Sequence, residues 1–311
     1  MSNRSTGHRL LDPGALLKIG RLGLESRQAM QGTVTGKHKS PHRGSSLEFA
    51  EYREYVPGDD LRRMDWRAYA RSDRYYIKEF EADTNLRLCM VVDASGSMAY
   101  GDSSNVGNGE STLSKFEFAS QMAALMGYVA IRQGDAAGLT LASGGEGVHL
   151  PPKRRPSHLG LVQDALIGAK PAGSNDLAAT LHELAERTRQ RAMIVVFSDL
   201  FTDPGELASA FQHLRFRNHD TVVFHLLEER ELEFAFDRTT RFVDMEGGAS
   251  LVAEPAVIAS RYRTALSNYF EALGDGVRKA DVDYKRVLLH EDPADVLTQF
   301  LLKRMRRGGR R

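Results

Sequence analysis

The sequence predicts an α/β protein: a three-layer, doubly wound, mostly parallel sheet preceded by an N-terminal extension. Three observations carry that expectation. Short apolar runs recur from residue 86 onward, at 86–92, 193–197 (MIVVF) and 221–227 (TVVFHLL). Such runs mark strands covered on both faces. Between them, apolar residues return at three- and four-residue spacing, the periodicity of amphipathic helices. Strands alternating with helices then imply a parallel sheet with helices on either side.

The elements follow in order. Asp12-Pro13 opens a helix whose apolar positions Leu16, Ile19, Leu22 and Leu24 are only loosely helical in spacing. A turn-rich stretch, GTVTGKHKSPHRGSS, leads to the dense segment EFAEYREYVPGDDLRRMDWRAYARSDRYYIKEFEAD. After the strand at 86–92, Phe116, Ala119, Met122, Met126 and Val129 predict a helix over 114–133. Residues 138–142 and 147–150 read as a strand pair around a Gly-rich turn. Helices are expected at 158–167 and 176–189, with Leu177, Leu181 and Leu184 on one face of the second. A further helix over 204–214 separates the strands at 193–197 and 221–227. A hairpin near 241–253, a helix over 255–273, a strand at 285–289 and a last helix from Pro293 complete the pattern. The expected organisation is an extension at 1–83, the main domain at 84–302 and a basic tail at 303–311.

Composition narrows the function. The chain has 311 residues, with 42 basic and 41 acidic side chains, a formal net charge of +1. That is not the profile of a surface built wholly for nucleic acid. Hydrophobic residues make up 41%, enough for a sizeable core. The single cysteine, Cys89, excludes a disulfide framework and a zinc site of the CxxC type, and its apolar run points to a buried, inert thiol. No signal peptide is visible, and the charge-free stretch 118–131 is shorter than the ~20 residues a spanning helix needs. A cytoplasmic location is expected.

In doubly wound sheets, ligands sit at the carboxyl ends of the strands. The first buried strand runs into Asp93-Ala94-Ser95-Gly96-Ser97, and the strand MIVVF ends in Ser198-Asp199. The loop from Gly173 to Asp176 (GSND) opens the helix between them. These loops offer oxygens only, a donor set that suits a hard cation, Mg²⁺ before Mn²⁺ or Ca²⁺, rather than zinc. The structural alternative is that Asp93, Ser95 and Ser97 merely cap the loop and the next helix.

The pattern resembles the metal-ion-dependent adhesion site of von Willebrand factor A-type domains: DxSxS, then a Thr, then an Asp. DASGS supplies Asp93, Ser95 and Ser97, and SDL supplies Asp199. The family's threonine falls on Asn175, a departure that leaves an amide oxygen as the donor, with Asp176 beside it as a substitute. The stretch from SPHRGSSLEFAEYREYVPGDDLRRMDW through KEFE to VVDASGSM resembles the signature of the bacterial domain-of-unknown-function 58 family. That resemblance implies an A-type fold, no established catalytic activity and frequent association with MoxR-type AAA+ ATPases.

Residues 52–80 carry Tyr52, Tyr55, Trp66, Tyr69, Tyr75, Tyr76 and Phe80, interleaved with seven basic and six acidic residues. Near-equal charge argues against a phosphate-binding groove and for an ion-paired segment clamped on the main domain, with a partner-binding surface as the alternative. Lys303, Arg304, Arg306, Arg307, Arg310 and Arg311 make the last nine residues basic, read as a solvated end.

Enzyme chemistry lacks its groups. Asp93 has Ser95, not a second aspartate, two residues on, and Ser95 lacks a GxSxG elbow. The ten histidines form no HExxH, and no P-loop or GxGxxG occurs. The reading is a non-enzymatic, cation-dependent protein-interaction module, an adaptor for a MoxR-type ATPase in protein assembly or maturation. The alternative is a scaffold whose metal site is degenerate and which binds partners through 52–80.

Overall fold

The computed structural model describes residues 10–20, 22–24, 48–54, 69, 75–81, 86–101, 113–145, 147–234, 236 and 238–308. A six-stranded sheet forms its centre, in the order β10–β7–β6–β3–β4–β5. The strands are β3 (Arg87–Asp93), β4 (Ala136–Ala142), β5 (His149–Lys153), β6 (Met193–Ser198), β7 (Asp220–Leu227) and β10 (Asp283–Leu288). All pairings are parallel except β4 with β5. This is the expected doubly wound α/β class.

Side chains of β3 alternate between two cores, as a period-2 strand requires. Leu88, Met90 and Val92 face one layer, made by α1 (Pro13–Ile19), α2 (Lys115–Arg132), α3 (Pro156–Gly168) and α8 (Pro293–Gly308). Cys89 and Val91 face the other, made by α4 (Leu177–Arg187), α5 (Pro204–Phe216) and α7 (Pro255–Lys279). Cys89 is buried, and burial pushes its thiol up to about 12, so it is inert at neutral pH.

Helix ends follow their capping residues. The Ser114 side chain accepts from the Glu117 backbone N–H while Glu117 returns to the Ser114 N–H, a capping box that starts α2. Asp12, Asp176 and Asp203 cap α1, α4 and α5 by accepting from first-turn backbone N–H groups. At the sheet edge, Gly138 lets β5 approach closely, since a Cβ there would lie 2.6 Å from the Leu150 carbonyl. Pro151 and Pro152 on β5 then blunt that edge against further pairing.

Two small sheets accompany the large one. β1 (Glu48–Glu54) and β2 (Tyr76–Glu81) pair antiparallel inside the aromatic-rich segment, where no strand is expected from the sequence. β8 (Thr240–Phe242) and β9 (Leu251–Ala253) form the expected hairpin after the short helix α6 (Glu229–Glu233). Trp66 and most arginines of 52–80 lie outside the described residues.

One expectation needs correction. The basic tail was to begin at Lys303, but α8 continues to Gly308 and Arg304 is 3% exposed. Its guanidinium grips Asp220 at 2.8 and 3.1 Å and Asp283 at 3.3 Å. The two aspartates start β7 and β10, so this arginine ties the last helix to two strands. Among the described residues no helix is long and apolar enough to cross a membrane.

Candidate metal centre

β3 occupies the middle of the sheet, and its chain neighbour β4 lies on one side while β6 lies on the other. The strand order therefore reverses at the carboxyl end of β3, where a crevice is expected. Three loops are stitched together there. Ala94 N–H donates to the Ala142 carbonyl at 2.8 Å, Ala172 N–H to Ala94 at 3.1 Å, and Gly96 N–H to Gly173 at 2.7 Å. These bonds hold DASGS against the loop that carries Asn175.

Asp93 ends β3 and is 3% exposed. Its Oδ1 accepts from the Ser95 backbone N–H at 2.9 Å and from the Asn175 amide at 2.7 Å. Its Oδ2 accepts from the Ser198 hydroxyl at 2.5 Å. All three donors are neutral. Burial pushes the carboxyl above the usual carboxylate range, and the charge of Asp199 pushes it further, against the bonds from Ser198 and Ser95. The Ser95 and Ser97 hydroxyls stand 3.1 Å apart. The structure thus brings Asp93, Ser95, Ser97, Asn175 and Asp199 to one end of the sheet.

Asn175 takes a role other than the expected one. Its Nδ2 donates both to Asp93 and to the Ala142 carbonyl, each at 2.7 Å. Turning the amide over would set its oxygen against two acceptors, so in this arrangement Asn175 is a donor to Asp93. Asp176, the substitute considered from the sequence, accepts from the Ala179 N–H at 2.7 Å as the cap of α4.

Asp199 is 2% exposed and pairs with a residue the sequence reading did not single out. Lys115, fully buried at the start of α2, reaches Asp199 at 3.0 Å and Glu231 at 2.6 Å. Desolvation opposes its charge, yet the two carboxylates outweigh it and hold the ammonium above its ordinary value. Burial raises the Glu231 carboxyl, with Lys115 opposing. Leu200 follows Asp199 with φ +56, a left-handed turn that costs an L-residue about 1–2 kcal/mol. Its N–H donates to Ser198 Oγ at 2.8 Å, and Tyr269 OH donates to its carbonyl. Near Asp199, His225 Nδ1 lies 2.6 Å from Tyr284 OH.

Two carboxylates and two hydroxyls suit a hard cation. Asp93 is a buried carboxylate without a cationic partner among the described residues, and the ammonium of Lys115 is already paired with Asp199 and Glu231. No group of three or more His, Cys, Asp or Glu able to hold a metal occurs among the described residues, so hydroxyl oxygens would have to complete the set. An open cleft of about 610 Å³, lined by Ser143, Gly144, Ser174, Asn175 and Asp176, borders the centre.

Sheet order, layering and the strand-end oxygens define a von Willebrand A-like α/β protein. The chain belongs to the family described as Protein of unknown function DUF58, whose model matches residues 51–269. It is 29% identical over 240 residues to Uncharacterized protein Rv1480 of Mycobacterium tuberculosis (strain ATCC 25618 / H37Rv), covering 76% of this chain and 73% of that protein. The same figures hold for Uncharacterized protein Mb1516 of Mycobacterium bovis. Similar solved structures include the conserved hypothetical protein BatB from Bacteroides thetaiotaomicron, with 15% identity, TM-score 0.47, and 71% and 100% of the two chains covered. The SpRpn10 VWA domain is similar at 14% identity and TM-score 0.39, with 69% and 95% covered.

Proposed function

We propose that this protein is a non-catalytic interaction module whose docking depends on a divalent cation, Mg²⁺ first. Asp93, Ser95, Ser97 and Asp199 would hold it through carboxylate and hydroxyl oxygens. The observation that carries the reading is Asp93: buried, bonded by neutral donors only, and destabilised by Asp199 nearby. A buried carboxylate without a counter-charge is strongly unfavourable unless a proton or a cation joins it. When bound, the ion supplies a Lewis-acid position at which a partner's carboxylate can dock, so association becomes linked to metal. Family membership supports a MoxR-type AAA+ ATPase as the partner, with this chain as adaptor in protein assembly or maturation.

The test is calorimetric titration with Mg²⁺ and Mn²⁺ of the native protein and of Asp93→Ala, followed by capture of the MoxR-type ATPase with Mg²⁺ or with chelator. Saturable binding and metal-dependent capture are expected for the native chain, and neither for Asp93→Ala. Capture unaffected by chelator or by the substitution would refute the mechanism. A second reading has its own support: Lys115 already neutralises Asp199 and Asn175 donates instead of accepting, as in a site that has lost its metal. Partner capture that ignores metal but is lost on substituting Trp66 would favour that scaffold.

A further inference from the structure

The β8–β9 hairpin lies over this centre with its usual polarity inverted. From residue 243 to 252 every residue is exposed except Glu246. Val243, Leu251 and Val252 are 61%, 58% and 64% exposed, while the acid turns inward. Hairpins on a protein surface ordinarily bury the apolar side chains and solvate the charges. Ring packing of Phe242 on Phe234 and Phe236 anchors the base of the hairpin but does not explain its turn.

Contacts show what the hairpin meets. The Met245–Glu246 peptide rests on Gly96, within DASGS, so closely that a Cβ at Gly96 would lie 1.9 Å from the Met245 carbonyl oxygen. Gly96 has no left-handed φ, so close approach, not backbone freedom, requires glycine here. Asp244 accepts from the Glu246 N–H at 2.8 Å, and Gly247, at φ +101, turns the chain. Burial raises the Glu246 carboxyl, the charges of Asp199, Asp93 and Asp244 add to it, and the Ser97 side chain nearby opposes.

We propose that Glu246 is the chain's own carboxylate for the cation centre: an internal ligand beside Ser97 that holds the β8–β9 hairpin shut over Asp93 and Asp199 until a partner's carboxylate displaces it. The inference rests on the metal reading above. Without a cation, Glu246 repels Asp93 and Asp199, and the turn beyond Phe242, whose ring packs on Phe234 and Phe236, rests on the Gly96 contact. With a cation the same charges attract through it, so closure and metal binding reinforce each other. The exposed valines and leucine contribute little burial to closure, which keeps the hairpin among the more easily opened elements.

The test uses the full chain with Mn²⁺ or Mg²⁺ as metal and acetate as the carboxylate probe. In the native protein Mg²⁺ should slow backbone hydrogen exchange over 240–253. In Glu246→Gln the ion should still bind, weakened about tenfold, without that protection. Gly96→Ala removes no oxygen donor but cannot accommodate the Met245 carbonyl. Mn²⁺-loaded Gly96→Ala should therefore bind acetate about tenfold more tightly than native protein, its own carboxylate no longer competing. If native protein binds Mn²⁺ yet exchange at 240–253 ignores it, or Glu246→Gln behaves as native, the internal ligand is refuted and the metal centre stands. If neither the native chain nor the variants bind Mn²⁺, both fall together.

Discussion

Lys115 shows how a single buried charge sets the chemistry of the centre. With its ammonium fully buried between Asp199 and Glu231, it is the counter-charge that lets two acids sit beside Asp93. Removing it strands both acids in a dry site. Lys115→Met is therefore expected to destabilise the chain by about 3–5 kcal/mol in chelator, read by denaturant unfolding, with part of the loss restored by Mg²⁺. His225 carries a pH signature. Burial lowers it from its ordinary 6.5 to about 4, so the folded chain keeps it neutral where the unfolded chain takes up a proton. Its contribution is present above pH 6.5 and lost as pH falls toward 4, at up to about 1.4 kcal/mol per unit. The advantage of native protein over His225→Gln in melting midpoint should shrink on acidification through that window; a constant advantage would show that His225 is not neutral in the fold.

At the scale of elements, α4 separates capping from ligation. Asp176 was a candidate donor beside Asn175, and its carboxylate caps the helix instead. Asp176→Ala should lower stability by about 1 kcal/mol and leave Mn²⁺ affinity unchanged. Loss of Mn²⁺ binding equal to that of Asp93→Ala would instead make Asp176 a ligand. The contrast with α8 is instructive. A run of basic residues at a chain end reads as solvated because charge is usually exposed. Four of the basic residues after 302 fall within one amphipathic helix, and Arg304 on its inner face meets two acids that are far away in sequence, Asp220 and Asp283. The hairpin β8–β9 was foreseen as a hairpin, but its inward acid was not, because no local pattern distinguishes Glu246 from an ordinary surface carboxylate.

For the whole molecule, Arg304 ties together parts that the strand order leaves at one edge. It joins α8 to the starts of β7 and β10 in a bidentate grip on Asp220. Ending the chain at residue 302 would leave Asp220 and Asp283 without this partner, and a loss of about 3–5 kcal/mol is expected by chemical denaturation. A truncated chain as stable as the native one would show the clamp to be incidental. Such a deletion is consequently no clean test of the basic end as a binding tail, since it removes a fold contact along with the charge.

The class of fold and most of its elements were legible in local pattern. Continuous apolar runs and three- and four-residue spacing are local signals, and they placed β3, β6, β7 and the helices between them. The DASGS and SDL motifs likewise put Asp93, Ser95, Ser97 and Asp199 at strand ends, where parallel topology must gather them. The charges and donors that face those oxygens come from packing between distant elements. Lys115, Glu231 and Glu246 arrive from a helix start, a short helix and a hairpin, and Asn175 turns its amide to Asp93 because Ala142 offers an acceptor beside it. Periodicity reports which face of an element is apolar. It carries no information on which polar residue of a distant element will stand opposite, and electrostatics at a buried centre depends on that opposition.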